Sequence, residues 1–218
     1  MKHIYYLLIA VTTVLFSACD AHQIEPDDSI PYQADILCTD GKTYSFEKCQ
    51  KLNKKPIAVV FSTSSLSDEG SSGYAVYLWD LPPAQFADSL NVKQNTSADI
   101  YAYDGNMNTA HMLDGKVVTS PIAESVLSVW EYHQSAFIPS VAEMKLLRAA
   151  APVVNENIRK CGGDTIPTNA EECWYWTSTE VKNQENIKAW LFSTGSGAFQ
   201  ETKKDVSHKV RPIISLRY

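Results

Sequence analysis

The segment that most limits the fold combines three adjacent aromatic residues with three hydroxyl residues, Trp174-Tyr175-Trp176-Thr177-Ser178-Thr179. In a β-strand, alternation puts Trp174, Trp176 and Ser178 on one face. Tyr175 and Thr177 then share the other face. Aromatic residues at this density indicate either a layer of the core or a surface on which sugar rings or peptides stack. Large aromatic side chains are usually buried, which favours the core for Trp176, whereas Tyr175 is a candidate ligand contact.

Two helix starts are indicated by capping residues. Ser120 precedes Pro121, and a serine cap followed by proline, which has no amide hydrogen to leave unpaired, is typical of a first helical turn. Ser140 and Glu143 have the spacing of a capping box, in which the hydroxyl and the carboxylate each accept a hydrogen bond from a free main-chain amide. The apolar residues behind this start form one stripe, Val141, Met144, Leu146 and Leu147. A second helical piece is predicted over 153–160.

Apolar and β-branched runs between turn residues predict strands at 36–37, 43–46, 56–61, 74–79, 187–192, 198–203 and 208–214. Gly41 suits the turn of a first hairpin, and the segment 194–197, with two glycines, suits the turn of a second. Pro212 cannot donate to a ladder, so the last strand is expected at an edge or at a bulge. These elements predict an α+β domain over 34–218 that begins with a β-hairpin region and combines antiparallel strands with two or more packed helices.

The N-terminus has the features of an export signal. Lys2 precedes an apolar run over 4–16 that is too short to span a bilayer. The run ends in Ser17-Ala18-Cys19, which resembles the lipobox of bacterial lipoproteins. This resemblance implies a signal peptide over 1–18 and lipidation of Cys19, and a multi-chain lipid anchor gives stable membrane attachment. An ordinary secretory signal is the alternative. Residues 19–33 are poor in apolar side chains and are predicted to be a flexible tether.

Four further cysteines, Cys38, Cys49, Cys161 and Cys173, are predicted to form disulfides because an exported protein meets oxidising conditions. Four cysteines permit three pairings. Cys38–Cys49 and Cys161–Cys173 are favoured because each closes a short loop. A thiol nucleophile or a metal site is the alternative, although no Cys-x-x-Cys spacing is present.

A weak calcium site is indicated by the alternating oxygen donors Asp104, Asn106 and Asn108. Thr109 stands where an EF-hand loop needs glycine, and Gly115 stands where it needs glutamate, so an EF-hand is excluded. The alternative is a turn that leads into a short helix capped by Asn108.

Charge and motifs argue against nucleic-acid binding and catalysis. The net charge is −6 and no basic stripe is visible, whereas nucleic-acid binding depends on clustered lysine and arginine. No phosphate-binding glycine loop or paired-histidine zinc motif is present, so no cofactor is predicted. The acidic pairs Asp68/Glu69 and Glu171/Glu172 would point to opposite faces of a strand, which does not suit shared acid–base work. We therefore expect a protein that is not an enzyme.

Three blocks, residues 137–147, 174–180 and 210–215, resemble the lectin-like family found at the C-terminus of bacterial collagen-like adhesins, the Lcl C-terminal domain. This family is similar in fold to C-type lectins and to formylglycine-generating enzymes (sulfatase-modifying factors), and 104–218 is the most recognisable part. Formylglycine-generating enzymes act through a cysteine pair near the C-terminal end, but no cysteine follows Cys173. The carbohydrate-binding triplet of calcium-dependent lectins is also absent. The resemblance therefore implies the non-enzymatic branch.

These features predict an exported, outer-membrane lipoprotein that faces outward and acts as an adhesin or a fibre-associated module recognising a glycan or an extracellular protein. The loops 62–73 and 183–185, with Tyr175, are the candidate contacts. A structural envelope protein without a soluble ligand and a hydrolase are the alternatives. A shallow aromatic patch framed by loops would favour binding, and a cleft with two converging carboxylates would favour the enzyme.

Overall fold

Two β-sheets and four helices make up the part of the chain that the computed structural model describes, which is residues 30–64, 73–115, 117–129, 136–168 and 173–216. In chain order the elements are β1 (Ile36–Cys38), β2 (Thr43–Tyr44), α1 (Phe46–Lys51), β3 (Pro56–Ser62), β4 (Gly73–Tyr77), β5 (Leu81–Gln85), α2 (Gly105–Leu113), α3 (Pro121–Ser128), β6 (Ala136–Phe137), α4 (Val141–Lys160), β7 (Trp174–Glu180), β8 (Lys188–Ser193), β9 (Phe199–Lys203), β10 (Ser207–Val210) and β11 (Ile213–Leu216). The predicted α+β class is confirmed.

The strands form two sheets that are antiparallel almost throughout. The first sheet has the order β2-β1-β3-β4-β11-β6, and each neighbouring pair in it is antiparallel. The second sheet has the order β5-β10-β7-β8-β9, in which β10 and β7 are parallel and the other pairs are antiparallel. The second sheet therefore has β5 at one edge and β9 at the other.

The last predicted strand is in fact two strands in different sheets. β10 ends at Val210 beside β7, and β11 begins at Ile213 beside β4. Pro212 lies between them and has no amide hydrogen for either ladder, although its carbonyl accepts a hydrogen bond from Tyr77 N at 3.0 Å. Pro212 therefore marks the point where the chain crosses from one sheet to the other, rather than an edge or a bulge.

β7 lies between two apolar cores. Trp176 is 0 % exposed in one core, where its ring packs edge-on against Phe86 and its indole N–H donates to Ala84 O at 3.1 Å. Tyr175, on the opposite face, belongs to the other core together with Phe192. The expectation that Trp176 is a core residue is confirmed.

The predicted caps start α3 and α4. Ser120 Oγ accepts from Ala123 N with Pro121 as the first helical residue, and both hydrogen bonds of the Ser140–Glu143 capping box are present. The two helical pieces predicted after Ser140 are a single helix of 20 residues that runs through Pro152. Buried residues on both sides of Pro152 hold α4 against the core (Leu147, Ala150, Ala151, Val154 and Ile158).

Candidate binding surface

The four cysteines of the predicted disulfides are free thiols in the structure. Cys38 Sγ and Cys49 Sγ are 3.3 Å apart, whereas a disulfide bond is about 2.05 Å long. Cys161 borders the same cavity of about 410 Å³ as Cys49, and Cys173 lies directly before β7. The first predicted pair is therefore adjacent but not bonded, and the disulfide pairing stays a prediction. Burial raises the pKa of Cys161 to about 11, which does not suit a thiolate nucleophile.

The candidate calcium ligands take part in contacts within the protein. Asn108 is buried; its amide nitrogen donates to Asp104 Oδ1 at 2.8 Å, and its carbonyl oxygen accepts from Ser97 N at 2.8 Å. Asn106 lies in the first turn of α2, and within the described ranges no cluster of histidine, cysteine and acidic residues could hold a metal ion. The helix cap is Asp104, not Asn108, because α2 already begins at Gly105.

Two carboxyl groups with raised pKa values lie near the start of α4. Burial raises the pKa of Glu143 to about 8 even though Glu143 Oε2 accepts a hydrogen bond from Ser140 N at 2.7 Å. Burial also raises the pKa of Asp104. Glu143 is only 1 % exposed, so a substrate has no access to it. Its contacts give this carboxyl group the role of a helix cap. The acidic pairs Asp68/Glu69 and Glu171/Glu172 lie outside the described residues.

Tyr175 is 1 % exposed, so its ring is not available to a ligand in this structure. Its hydroxyl donates to Asp80 Oδ2 at 3.0 Å, which also accepts from Lys209 Nζ at 2.8 Å. Arg211 donates to Asp80 Oδ1 at 2.8 Å. Burial and the Asp80 carboxylate raise the pKa of Tyr175 to about 12. In this structure Tyr175 therefore has a structural role: its hydroxyl binds Asp80, which lies in the connection between β4 and β5.

The two candidate loops differ in how much of them can be placed. Most of the loop 62–73 lies outside the described residues. The loop 183–185 is held close to the core, because Glu185 O accepts from the buried Lys204 Nζ at 2.8 Å and the Glu185 carboxylate pairs with Lys93 at 3.4 Å. The side chains of 183–185 form no aromatic surface.

An exposed aromatic patch lies elsewhere, and we define it as Tyr101, Lys145, Trp190 and Phe199. Tyr101 is 73 % exposed and Phe199 is 40 % exposed. Lys145 Nζ lies over both rings, 5.1 Å from the centroid of Tyr101 and 5.3 Å from that of Phe199. The half-buried ring of Trp190 packs edge-on against Phe199 at 5.2 Å. The centroids of Tyr101 and Phe199 are thus no more than about 10 Å apart.

α4 and the β8–β9 hairpin bring together Lys145, Trp190 and Phe199 of the aromatic patch. Lys145 lies in the second turn of α4, and Arg148 follows one turn later on the same side. Arg148 Nε donates to Thr194 O and its Nη2 donates to Gly195 O, both at 3.1 Å, which fixes the hairpin turn to the helix. Gly197 has φ +79°, and a Cβ there would lie 3.2 Å from the Arg148 guanidinium. Phe199, which begins β9, is thereby placed beside Lys145.

The aromatic patch combines apolar ring faces with a cation whose hydrogen-bond donors are free. Among the described residues, Lys145 Nζ has no carboxylate or carbonyl partner. Trp190 Nε1 is buried and has no acceptor there. Ring faces stack on sugars or peptide side chains, and a free ammonium donates hydrogen bonds. The patch contains no nucleophile and no carboxyl group. Its chemistry therefore suits binding.

Sequence reasoning missed the aromatic patch because its members are far apart in the chain. Tyr101 precedes the candidate calcium segment, and Phe199 lies almost a hundred residues later. The available signal was local: Phe199 is the single large apolar residue of the otherwise polar strand β9 (FQETK). An apolar residue in such a strand is either covered by another element or open to a ligand.

Within the described residues, no helix is both long and apolar enough to cross a membrane. No model of a known protein family matches the chain, and no curated protein matches it either.

Proposed function

We propose that the protein is a lipid-anchored binding module of C-type-lectin-like architecture whose aromatic patch recognises a glycan or a protein outside the cell. The proposal is carried by the exposure of Tyr101 and Phe199 on either side of Lys145. Covering two such rings removes apolar surface from water, which favours association. An exposed aromatic surface is the kind of feature that favours a binding protein over a hydrolase.

The lectin-like architecture is supported by the way the three resembling blocks meet. Block 137–147 contains Phe137 of β6 and the start of α4, block 174–180 is β7, and block 210–215 spans the crossing from β10 to β11. β6 pairs with β11, and β7 pairs with β10. Ser178 N also donates to Pro139 O at 2.8 Å. The blocks that carry the resemblance therefore form one contiguous unit, as a shared fold requires.

Display away from a membrane is supported by the two ends of α4. Asn157, near the C-terminal end, donates to Ala34 O at 2.7 Å, at the point where the predicted tether joins the domain. Lys145 of the aromatic patch lies 12 residues earlier, which corresponds to about 18 Å along a helix. A chain attached through Cys19 would therefore hold the patch at the end of α4 farther from the tether.

The proposal is tested by screening the full chain in detergent against glycans and extracellular-matrix proteins, with and without calcium. We expect the wild-type protein to bind at least one ligand. The double variant Tyr101→Ala/Phe199→Ala should bind that ligand at least about tenfold more weakly. Tyr32→Ala is the matched control, because Tyr32 is also well exposed, at 55 %, but lies in the predicted tether, 19–33. It should bind like the wild-type protein.

Two results would contradict the proposal. Equal binding by wild type and the double variant would remove the aromatic patch as the binding surface. Absence of any binding by the wild-type protein would favour the structural envelope protein without a soluble ligand.

A further inference from the structure

The two edges of the second sheet differ in their ability to accept another strand. β5 contains Pro82 and Pro83, which have no amide hydrogen, and its Ala84 carbonyl already accepts from the Trp176 indole. β9 contains no proline, and four of its five residues are exposed. In the first sheet the edge strands β2 and β6 are only two residues long each. Among the described strands, β9 is therefore the one long edge that is not blocked.

The pairing of β9 with β8 shows which main-chain groups of β9 face outward. Ser193 N donates to Ala198 O at 2.8 Å, and Lys204 N donates to Ile187 O at 3.0 Å. In an antiparallel pair every second residue bonds to the partner strand, so residues 200 and 202 bond to β8 in the same register. The N–H and C=O groups of Phe199 and Glu201 and the N–H of Lys203 then point away from the sheet. Within the described ranges these groups have no partner.

We propose that β9 accepts an extended segment of a partner protein as an additional strand of the second sheet. This inference rests on the proposed function and names its ligand class, because Phe199 belongs both to the aromatic patch and to the open edge. Main-chain hydrogen bonds to an edge supply affinity in such complexes, and the side chains on alternate positions supply specificity. The aromatic patch lies where those alternate side chains would contact this protein.

The side chains along β9 define the partner segment. Phe199, Glu201 and Lys203 share one face of the strand. Glu201 is already paired with Lys188 at 2.9 Å, whereas Lys203 has no carboxylate partner among the described residues. The partner segment should therefore carry an apolar or aromatic side chain against the ring of Phe199. It should carry an acidic side chain near Lys203, two or four positions away on the same face.

The experiment is a binding screen of the full chain in detergent against an array of immobilised heptapeptides of random sequence. We expect binding to peptides in which an acidic residue stands two or four positions away from an apolar or aromatic residue. Glu201→Pro removes one outward N–H and leaves the bonds of residues 200 and 202 to β8 in place, a position where an edge strand tolerates proline. It should weaken peptide binding about tenfold. Glu201→Ala, which removes the side chain and keeps the N–H, should bind within about threefold of wild type.

Hydrogen exchange gives a second readout that side-chain contacts alone would not move. On addition of a bound heptapeptide from the array, the amides of Phe199, Glu201 and Lys203 should exchange more slowly, while those of residues 200 and 202 are already protected in the free protein. Thermal melts of both Glu201 variants report whether the fold is retained.

The outcomes separate this inference from the proposed function. Peptide binding that is unchanged by Glu201→Pro, or that leaves the three outward amides unprotected, overturns strand addition. Glycan binding that depends on Tyr101 and Phe199 without any peptide binding keeps the proposed function and overturns the inference. If neither peptides nor other ligands bind, both fail.

Discussion

Lys204 shows how a single buried residue holds together segments that are distant in sequence. Its ammonium group is 0 % exposed and donates to Val92 O at 2.9 Å, to Glu185 O at 2.8 Å and to Glu180 Oε1 at 2.8 Å. Burial lowers the pKa of Lys204, and the Glu180 carboxylate opposes that shift. The ion pair of Lys204 and Glu180 therefore connects β7 with two loops at a buried position where apolar side chains would otherwise pack.

Replacing Lys204 is expected to destabilise the protein strongly. Lys204→Met leaves the Glu180 carboxylate buried without its cation, and breaking such a pair costs about 3–5 kcal/mol in the free energy of unfolding. Urea denaturation followed by circular dichroism measures the loss. Lys203→Met, at the exposed neighbouring position, should change the stability by less than about 0.5 kcal/mol.

A double variant shows whether the loss comes from the unpaired charge. In Glu180→Leu/Lys204→Met both charges are removed, and most of the stability lost in Lys204→Met should return. A double variant as unstable as the single one would mean that the hydrogen bonds of Lys204 to Val92 and Glu185, rather than the charge of Glu180, are what the fold needs.

At the scale of elements, the start of α4 should give the protein a pH-dependent stability. The pKa of Glu143 is raised by burial from 4.5 to about 8, so the folded protein holds this proton more tightly than the unfolded chain does. The stability that this proton provides is complete below pH 4.5 and is lost as the pH rises through 8. As the pH rises from 5 to 8.5, we expect the ionisation of Glu143 to lower the free energy of unfolding by on the order of 3 kcal/mol.

The measurement is a series of urea titrations between pH 5 and pH 8.5 on wild type and on Glu143→Gln, whose side chain remains neutral. The free energy of unfolding of Glu143→Gln should decrease much less over this pH range than that of wild type. Glu124→Gln is the control, because Glu124 is an exposed glutamate in the first turn of α3. A wild-type slope that persists unchanged in Glu143→Gln would assign the pH dependence to other groups, among them Asp104.

Elements with local signals could be predicted from the sequence, and those that depend on distant contacts could not. Ser120, Pro121 and the Ser140–Glu143 capping box start their helices as predicted, because a cap needs only neighbouring residues. Tyr175 is buried because elements from other parts of the chain cover both faces of β7. The aromatic patch depends in the same way on α4 bringing Lys145 beside Phe199. Phe199 stands out within its own strand, but no short window of sequence predicts that Tyr175 is covered or that Lys145 lies beside Phe199.

At the scale of the whole molecule, the two ends of α4 have different roles in the proposed function. Its C-terminal end contacts Ala34, where the predicted tether joins, and its N-terminal end carries Lys145. β9, with its open edge, lies beside the same N-terminal end through Phe199. A ligand can therefore approach the aromatic patch and β9 without contact with the tethered end, provided that the chain is attached to a membrane at Cys19.

Attachment at Cys19 is expected to depend on the thiol of that one residue. In the proposed lipid-anchored protein Cys19 carries the acyl chains, so cells expressing the wild-type chain should incorporate radiolabelled fatty acid into it, and the Cys19→Ala variant should incorporate none. Cys161→Ala is the control, because Cys161 lies at the end of α4 in the folded part and its loss should leave the label unchanged. Equal label in wild type and Cys19→Ala would mean that Cys19 does not carry the lipid. In that case α4 would not orient the aromatic patch with respect to a membrane.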